Sequence, residues 1–139
     1  MNRLAKIVVC IIVLWVFNQT LFAQKDKVEA LRASFINKKL ELNKDESVKF
    51  WPVYNEMNDK LRALKIELRK AYRKLPPNYN EAQAEEIIKL ENNALQAEAD
   101  ITKSYYEKLA SIIGVKKLVQ LQIAEKEFKK EVINLIKEK

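Results

Sequence analysis

The side chains in this sequence that could carry out acid–base chemistry are carboxylates, amines and hydroxyls, because the 139 residues include no histidine. Without an imidazole, a Ser-His-Asp or Cys-His triad has no base, and zinc loses its commonest nitrogen ligand. The single glycine cannot build a phosphate-binding loop, which needs several residues without a Cβ atom. We therefore do not expect a nucleotide-dependent or zinc-dependent enzyme.

Paired carboxylates are the remaining catalytic option, and the adjacent Glu85 and Glu86 are one candidate pair. Neighbouring residues on a helix point in different directions, so these carboxyl groups do not flank one substrate bond as they would in a glycosidase. The sequence also lacks the alternating acidic run of an EF-hand loop. We expect no enzymatic activity, no cofactor and no dedicated metal site.

Side chains suited to reversible contact with other polypeptides are more prominent. Aromatic and methionine side chains adapt to varied apolar partners, and long basic side chains cover apolar surface while steering acidic segments. The candidate contacts for a client or partner are Phe35, Phe50, Trp51, Tyr54, Met57, Arg62, Lys65 and Arg69. The alternative for the aromatic residues is an ordinary place in the core.

The elements that must position these residues are predicted to be helices. Hydrophobic residues make up 48% of the chain and charged residues 32%, a mixture typical of amphipathic helices, and one glycine leaves few means of making tight turns. Strong helix-breaking signals occur only at residues 75–80 and at Gly114, with a milder one at Leu42 and Asn43. Four helical segments are predicted, at about 26–41, 43–75, 80–113 and 115–136.

The second segment has the clearest pattern. Asn43 and Glu46 form a candidate capping box at its start, and apolar residues recur at alternating steps of three and four from Tyr54 onwards. Pro52 predicts a kink or restart of this helix near residues 48–51. A second capping box is predicted after the double proline, at the start of the third segment, and Gly114 is predicted to end that segment.

The third segment is expected to turn its apolar residues inward, Ile88 and Leu95 among them. Residues 61–75 carry a net charge of +5 and residues 81–100 a net charge of −5, so the two blocks would be favourable neighbours. The predicted fold class is all-α, a long antiparallel helical hairpin with two shorter flanking helices. Because so thin a layer cannot easily cover its own apolar seam, a homodimer is expected.

The first 23 residues are predicted to be a signal peptide. Arg3 and Lys6 precede an uncharged run of 11 residues, against roughly 20 for a membrane-spanning helix. Cleavage near Ala23 would remove Cys10 and lower the formal charge from +7 to +5, leaving residues 24–139 as a single helical domain. We expect a periplasmic protein with no stable membrane insertion after cleavage and no nucleic-acid partner.

Residues 42–56 resemble the first LTxxQ-type segment of the Spy/CpxP-like family of exported helical proteins, in the branch often labelled sensors of ECF-type sigma factors. The positions that carry the resemblance are Leu42, Asn43, Glu46, Trp51, Pro52 and Tyr54. Asn43 stands in place of threonine and Glu46 in place of glutamine, and both substitutions keep a capping box. The resemblance implies an all-helical exported protein, commonly a curved antiparallel dimer, that shields unfolded clients or reports to a signalling partner.

Two functions follow as hypotheses. The first is a periplasmic, ATP-independent, chaperone-like protein that binds unfolded or partly folded clients during envelope stress. The alternative is an envelope stress sensor or regulatory module that binds one specific signalling partner through the same helical surface.

Overall fold

The computed structural model describes residues 27–137, and every secondary-structure element in that range is an α-helix. Helix α1 covers residues 27–40, α2 is Lys44–Lys74 and α3 is Glu81–Lys137. The prediction of an all-α fold is confirmed. The predicted signal peptide, Cys10 and the predicted cleavage near Ala23 lie outside the described residues. Among residues 27–137, none of the helices combines the length and apolar composition needed to cross a bilayer.

Both predicted capping boxes are present. At the start of α2, the Asn43 side chain accepts a hydrogen bond from the Glu46 backbone N–H at 2.9 Å, and the Glu46 carboxylate accepts one from the Asn43 N–H at 3.0 Å. Asn80 and Gln83 make the same reciprocal pair before α3, at 2.9 and 3.0 Å. Each box satisfies two backbone donors that have no partner inside the helix, so both helix starts are set by local sequence.

Helix α2 continues through Pro52, so the predicted restart near residues 48–51 is not found. Proline lacks the N–H that would bond the carbonyl four residues earlier, which here belongs to Val48. Val48 is 67% exposed, so water can solvate that carbonyl. The proline therefore removes one bond of the helical ladder without ending the helix.

Within residues 27–137, two residues have a positive φ. Gly114 has φ 78° and ψ 156°, a non-helical conformation that kinks α3 at the boundary between the third and fourth predicted segments. Both segments lie within α3, on either side of this kink. No heavy atom outside its immediate neighbourhood lies within 4 Å of the position that a Cβ atom would take there. Glu41, with φ 49°, directly follows α1 without the glycine that usually occupies such a position.

The described residues form two compact units. The first unit is Leu42–Gln122, and the second contains residues 27–41 and 123–137. The buried residues of the first unit are Phe50, Tyr54, Met57, Ile87, Tyr105, Leu109, Ile113 and Leu121. Those of the second unit are Ile36, Leu40 and Ala124.

Several side-chain contacts join α2 to α3 within the first unit, and three of them define the register of the two helices. Lys117 pairs with Glu46 at 2.7 Å and Lys65 with Glu98 at 3.8 Å. The third contact is a hydrogen bond of 3.1 Å, donated by the Tyr72 hydroxyl to the Glu91 carboxylate. From the first contact to the second, the residue number rises by 19 on α2 and falls by 19 on α3. From the second contact to the third, it rises by 7 on α2 and falls by 7 on α3. The contacts therefore share one register and run in opposite order along the two helices.

Candidate functional site

Three of the predicted contact residues are buried in the first unit. Phe50 is fully buried, and its ring stacks on Tyr54 with the centroids 5.2 Å apart. Trp51 is half-buried and meets both rings edge-on, at 5.0 and 5.4 Å. Met57 is buried one turn further along. Phe50, Tyr54 and Met57 thus occupy the core positions that were the alternative to client contact, and only Trp51 of this group is partly accessible.

The motif residues at the start of α2 fix the helix end. The Glu46 carboxylate accepts hydrogen bonds from the Asn43 N–H and from the Lys117 ammonium. The bond from Lys117 is the main reason why the pKa of this carboxyl lies below its usual value. Leu42 is half-buried and Pro52 is exposed. Asn43 and Glu46 therefore cap α2, and Glu46 also links the start of α2 to α3.

Phe35 lies in the second unit. Its ring meets Phe128 at 5.7 Å between centroids, and Lys39 lies over it at 5.4 Å. The Arg32 guanidinium contacts both carboxylate oxygens of Glu125 at 2.8 Å, in a partly buried pair. This half-buried phenylalanine therefore forms part of the packing between α1 and the end of α3.

A hydrogen-bonded cluster lies between α2 and α3 in the first unit. The hydroxyl of the buried Tyr105 bonds the Glu56 carboxylate and is the main cause of the lowered pKa of that group. The same hydroxyl raises the pKa of Lys60, and the Lys108 ammonium lies 4.4 Å from the Tyr105 ring centroid. The cluster gives the hydroxyl of a buried tyrosine its polar partners and links the two helices.

The three predicted basic contacts are exposed on α2. Arg62, Lys65 and Arg69 are separated by three and four residues, which places them on one helix face, and Tyr72 continues that face. Lys65 and Tyr72 both contact α3, so the face borders the α2–α3 seam. We call Arg62, Lys65 and Arg69 the cationic ridge.

An apolar hollow lies on α3, at a place where the sequence predicts no candidate site. It has a volume of about 730 Å³. Its lining comes mainly from one helix face before Gly114 and from Leu118 after it; the residues are Leu95, Glu98, Ala99, Thr102, Lys103, Tyr106, Glu107, Ala110 and Leu118. We call this hollow the α3 groove.

The α3 groove exists because some predicted inward-facing residues do not face α2. Leu95 is 59% exposed and Ile88 is 55% exposed, so the expectation that both would be buried is wrong. The adjacent residues Ile87 and Ala94, which were also expected to face inward, are the less exposed member of each pair. Neighbouring residues on a helix lie about 100° apart, so one partner helix cannot cover both members of such a pair.

A sequence signal for this groove exists. Apolar residues occur in adjacent pairs at 87–88, 94–95 and 105–106, separated by seven and eleven residues, which are whole numbers of helical turns to a good approximation. Such pairs indicate an apolar arc wider than a single seam. Burial also raises the pKa of the Tyr106 hydroxyl, the partly buried member of the last pair.

The cationic ridge lies beside the α3 groove. Glu98 lines the groove and also pairs with Lys65 of the ridge. The shared register of the α2–α3 contacts places Arg69 level with Ala94 and Leu95. Three of the predicted contact residues, Arg62, Lys65 and Arg69, are therefore brought together next to an apolar surface, although Phe50, Tyr54 and Met57 do not form that surface.

Within residues 27–137, no group of three or more acidic or cysteine side chains is arranged to hold a metal ion. The groove contains Thr102 and Tyr106 as its only hydroxyl groups, and neither has a histidine to activate it, since the chain has none. The arrangement offers apolar contact area with charged edges, which suits binding of another molecule.

In comparisons with known proteins, neither a family, nor a curated protein, nor a solved structure matches this chain.

Proposed function

We propose that this protein is an exported, ATP-independent, chaperone-like protein that binds apolar segments of unfolded or partly folded polypeptides through the α3 groove. The observation that carries the proposal is the groove itself, an apolar hollow with Leu95 more than half exposed beside the cationic ridge. Contiguous exposed apolar surface with a polar rim is typical of sites that bind other polypeptides or ligands.

The surroundings of the groove suit weak and reversible binding. The ridge side chains carry long apolar stems under charged ends, so they can cover apolar surface in the free protein and keep it soluble. Their charge attracts acidic segments at a distance and loses its effect as salt increases. A shallow groove with few polar anchors does not select one sequence, as a protein with many clients requires.

An aggregation assay tests this proposal. The secreted protein, at near-stoichiometric ratio and without ATP, is expected to slow aggregation of an unrelated denatured protein. Leu95→Asp places a charge in the groove and should weaken the effect, whereas Val48→Asp makes the same change at an exposed position outside it and should not. Absence of any effect across ionic strengths contradicts the proposal, and capture of one saturable envelope partner instead favours the regulatory alternative.

We further propose that α2 and the first part of α3 act as an antiparallel hairpin and that two copies form a thin, curved homodimer. The shared register of the α2–α3 contacts supports the hairpin, and the exposed apolar residues of α3 support association. The resemblance of residues 42–56 to the Spy/CpxP-like pattern is the sequence support. A monomer in light scattering at micromolar concentration contradicts the dimer.

Export is the remaining part of the proposal and rests on the sequence of residues 1–23. Replacing these residues with a polar segment of equal length should retain the protein in the cytoplasm. Secretion at the original level without them shows that they are not the export signal.

A further inference from the structure

The end of α2 carries a dense run of positive charge. No acidic residue occurs between Glu67 and Glu81, and the 13 residues between them include four basic ones. All four are exposed, and none forms an ion pair within residues 27–137. We call Arg69, Lys70, Arg73 and Lys74 the basic face.

The basic face lies on the side of α2 that is turned away from α3. Ala71 and Leu75 line a hollow whose other wall comes from α3, so their side of α2 faces α3. At about 100° per residue, the four basic residues cover an arc of about 140° on the opposite side, with Lys74 at the edge that borders the hollow. The basic face is therefore a convex helix surface and not a pocket.

The acidic residues near this end of the helix pair do not neutralise the basic face. Ile87 lines the same hollow, and Glu85 lies two residues before it, which corresponds to about 200° of helix. Glu85 and, one turn earlier, Glu81 therefore point away from α2. Helices of about 10 Å diameter with axes about 8–10 Å apart have outer faces roughly 20 Å apart, beyond the Debye length of about 8 Å at physiological salt. Glu67 and Glu86 border the basic face, and four basic against two acidic residues still leave a net charge of +2.

Helix stability explains only part of this arrangement. Arg73 and Lys74 lie in the last turn of α2, where the helix dipole favours cations. Arg69 and Lys70 lie one turn earlier, where that effect has largely faded, and each is four residues from another cation. Like charges at this spacing destabilise a helix, so the face gains stability when an anionic partner supplies the counter-charge.

The side chains around the basic face suit a lipid surface. Ile66 lies within the same arc and is exposed, and Tyr72 and Tyr79 follow it along the chain, both about half exposed. Tyrosine is enriched at membrane–water interfaces because it combines an apolar ring with a polar hydroxyl. The long apolar stems of lysine and arginine let their charged ends reach the headgroups while the stems cover apolar surface.

A nucleic acid fits this surface less well. Single-stranded nucleic acid is held mainly in charged grooves that contain aromatic side chains on which the bases stack. The basic face is convex, and the apolar side chain within its arc is the aliphatic Ile66. A bilayer presents a broad layer of anionic headgroups above apolar chains, which matches basic side chains placed around an exposed apolar one.

From these features we infer that the basic face binds the surface of a bilayer that contains anionic lipids. The contact is peripheral and is made by side chains of the last turns of α2. Each lysine or arginine near such a surface strengthens binding by about fivefold. The inference goes beyond the proposed function, since Lys70, Arg73 and Lys74 do not line the α3 groove.

Cosedimentation with vesicles tests the inference. The secreted protein is mixed with vesicles of phosphatidylcholine alone, or of equal parts phosphatidylcholine and phosphatidylglycerol, at low and high salt. We expect binding to the anionic vesicles only, and we expect it to weaken as salt increases. The double variant Lys70→Gln, Lys74→Gln should bind these vesicles about 25-fold more weakly, at about fivefold for each lysine.

The double variant Lys44→Gln, Lys49→Gln is the matched control. Both lysines are exposed on α2, and the change in net charge is the same. Lys49 and Lys70 are 21 residues apart, which is about 31 Å along the helix and several Debye lengths from the basic face. This control should bind the anionic vesicles nearly as tightly as the unmodified protein.

A fluorescent label reports which surface meets the lipid. Cys10 is the only cysteine and lies in the predicted signal peptide, so one new cysteine in the secreted protein carries the label. The emission of a polarity-sensitive dye at Ile66→Cys should shift to shorter wavelength with anionic vesicles. The same dye at Glu85→Cys, on the opposite side of the helix pair, should show no shift.

Several outcomes would contradict the inference. Equal binding to both kinds of vesicle, no binding to either, or an equal loss in both double variants overturns it. A shift at Glu85→Cys alone shows that the other side of the pair meets the lipid and also overturns it. Binding of single-stranded DNA that is lost in Lys70→Gln, Lys74→Gln, without any binding of vesicles, assigns the basic face to nucleic acid instead. None of these outcomes changes the proposed function, because this double variant leaves the α3 groove intact and should still slow aggregation.

Discussion

Replacing Gly114 with alanine is expected to destabilise the protein, although the same change in an ordinary helix stabilises it. In a regular helix, alanine is favoured over glycine by about 0.8–1.0 kcal/mol. At φ 78° and ψ 156°, however, a residue with a Cβ atom occupies a region that is almost restricted to glycine, at a cost of order 1–3 kcal/mol. The sign of the change therefore reports whether α3 is broken at this residue.

The magnitude of this effect is purely conformational. No atom outside the neighbouring residues lies within 4 Å of the new methyl group, so steric overlap contributes nothing. A loss of about 1–3 kcal/mol corresponds to a fall in Tm of roughly 3–12 °C for a domain of this size. Urea unfolding followed by circular dichroism measures the free energy change directly, provided that the m-value stays constant.

Ala63→Gly is the control for this experiment. Ala63 is exposed in the uninterrupted helix α2, and its replacement should cost about 1 kcal/mol. The two substitutions are chemical opposites, yet both are expected to destabilise. If Gly114→Ala instead raises the stability while Ala63→Gly lowers it, α3 is a continuous helix in solution and the shape of the groove near Leu118 is wrong.

Three further predictions concern stability. Phe50→Ala should cost about 3–5 kcal/mol in urea unfolding, because Phe50 is fully buried against two rings, and an unchanged stability with reduced client binding contradicts its place in the core. Glu41→Gly should stabilise the protein by up to about 1 kcal/mol, because a glycine at φ 49° has no Cβ penalty, and a loss would show that the glutamate side chain contributes more than the backbone strain. Lys117 and the Asn43 N–H hold the pKa of Glu46 below 4.5. The contribution of this carboxylate to stability is therefore present above pH 4.5 and is lost as the pH falls through the lower folded pKa. The stability of Glu46→Gln should differ from that of the unmodified protein at neutral pH and converge with it in acid.

The helix boundaries were largely predictable because they depend on interactions within a few residues. Asn43 and Glu46 meet because they are three residues apart at a helix start, whatever packs around them. Gly114 interrupts α3 because it alone in the chain lacks a Cβ atom. The predicted restart at Pro52 was wrong, since its occurrence depends on whether solvent can reach the carbonyl of Val48, which is a property of the fold.

The charged blocks show where sequence information stops. Their opposite signs predicted mutual neutralisation, and Lys65 does pair with Glu98. Arg69 and Arg73, in contrast, form no ion pair within the part of the chain that the structure describes. The net charge of a block does not specify which side chains pair. An exposed ion pair also contributes too little free energy to hold two solvated side chains together.

The sequence by itself determined that this chain is helical and where its helices begin. Only the tertiary structure decided that Phe50, Tyr54 and Met57 are core residues while Leu95 and Ile88 are exposed. The spacing of apolar residues identifies an apolar arc on a helix. It does not determine which part of that arc the neighbouring helix covers. That coverage separates buried residues from those available for binding, and packing across the whole unit sets it.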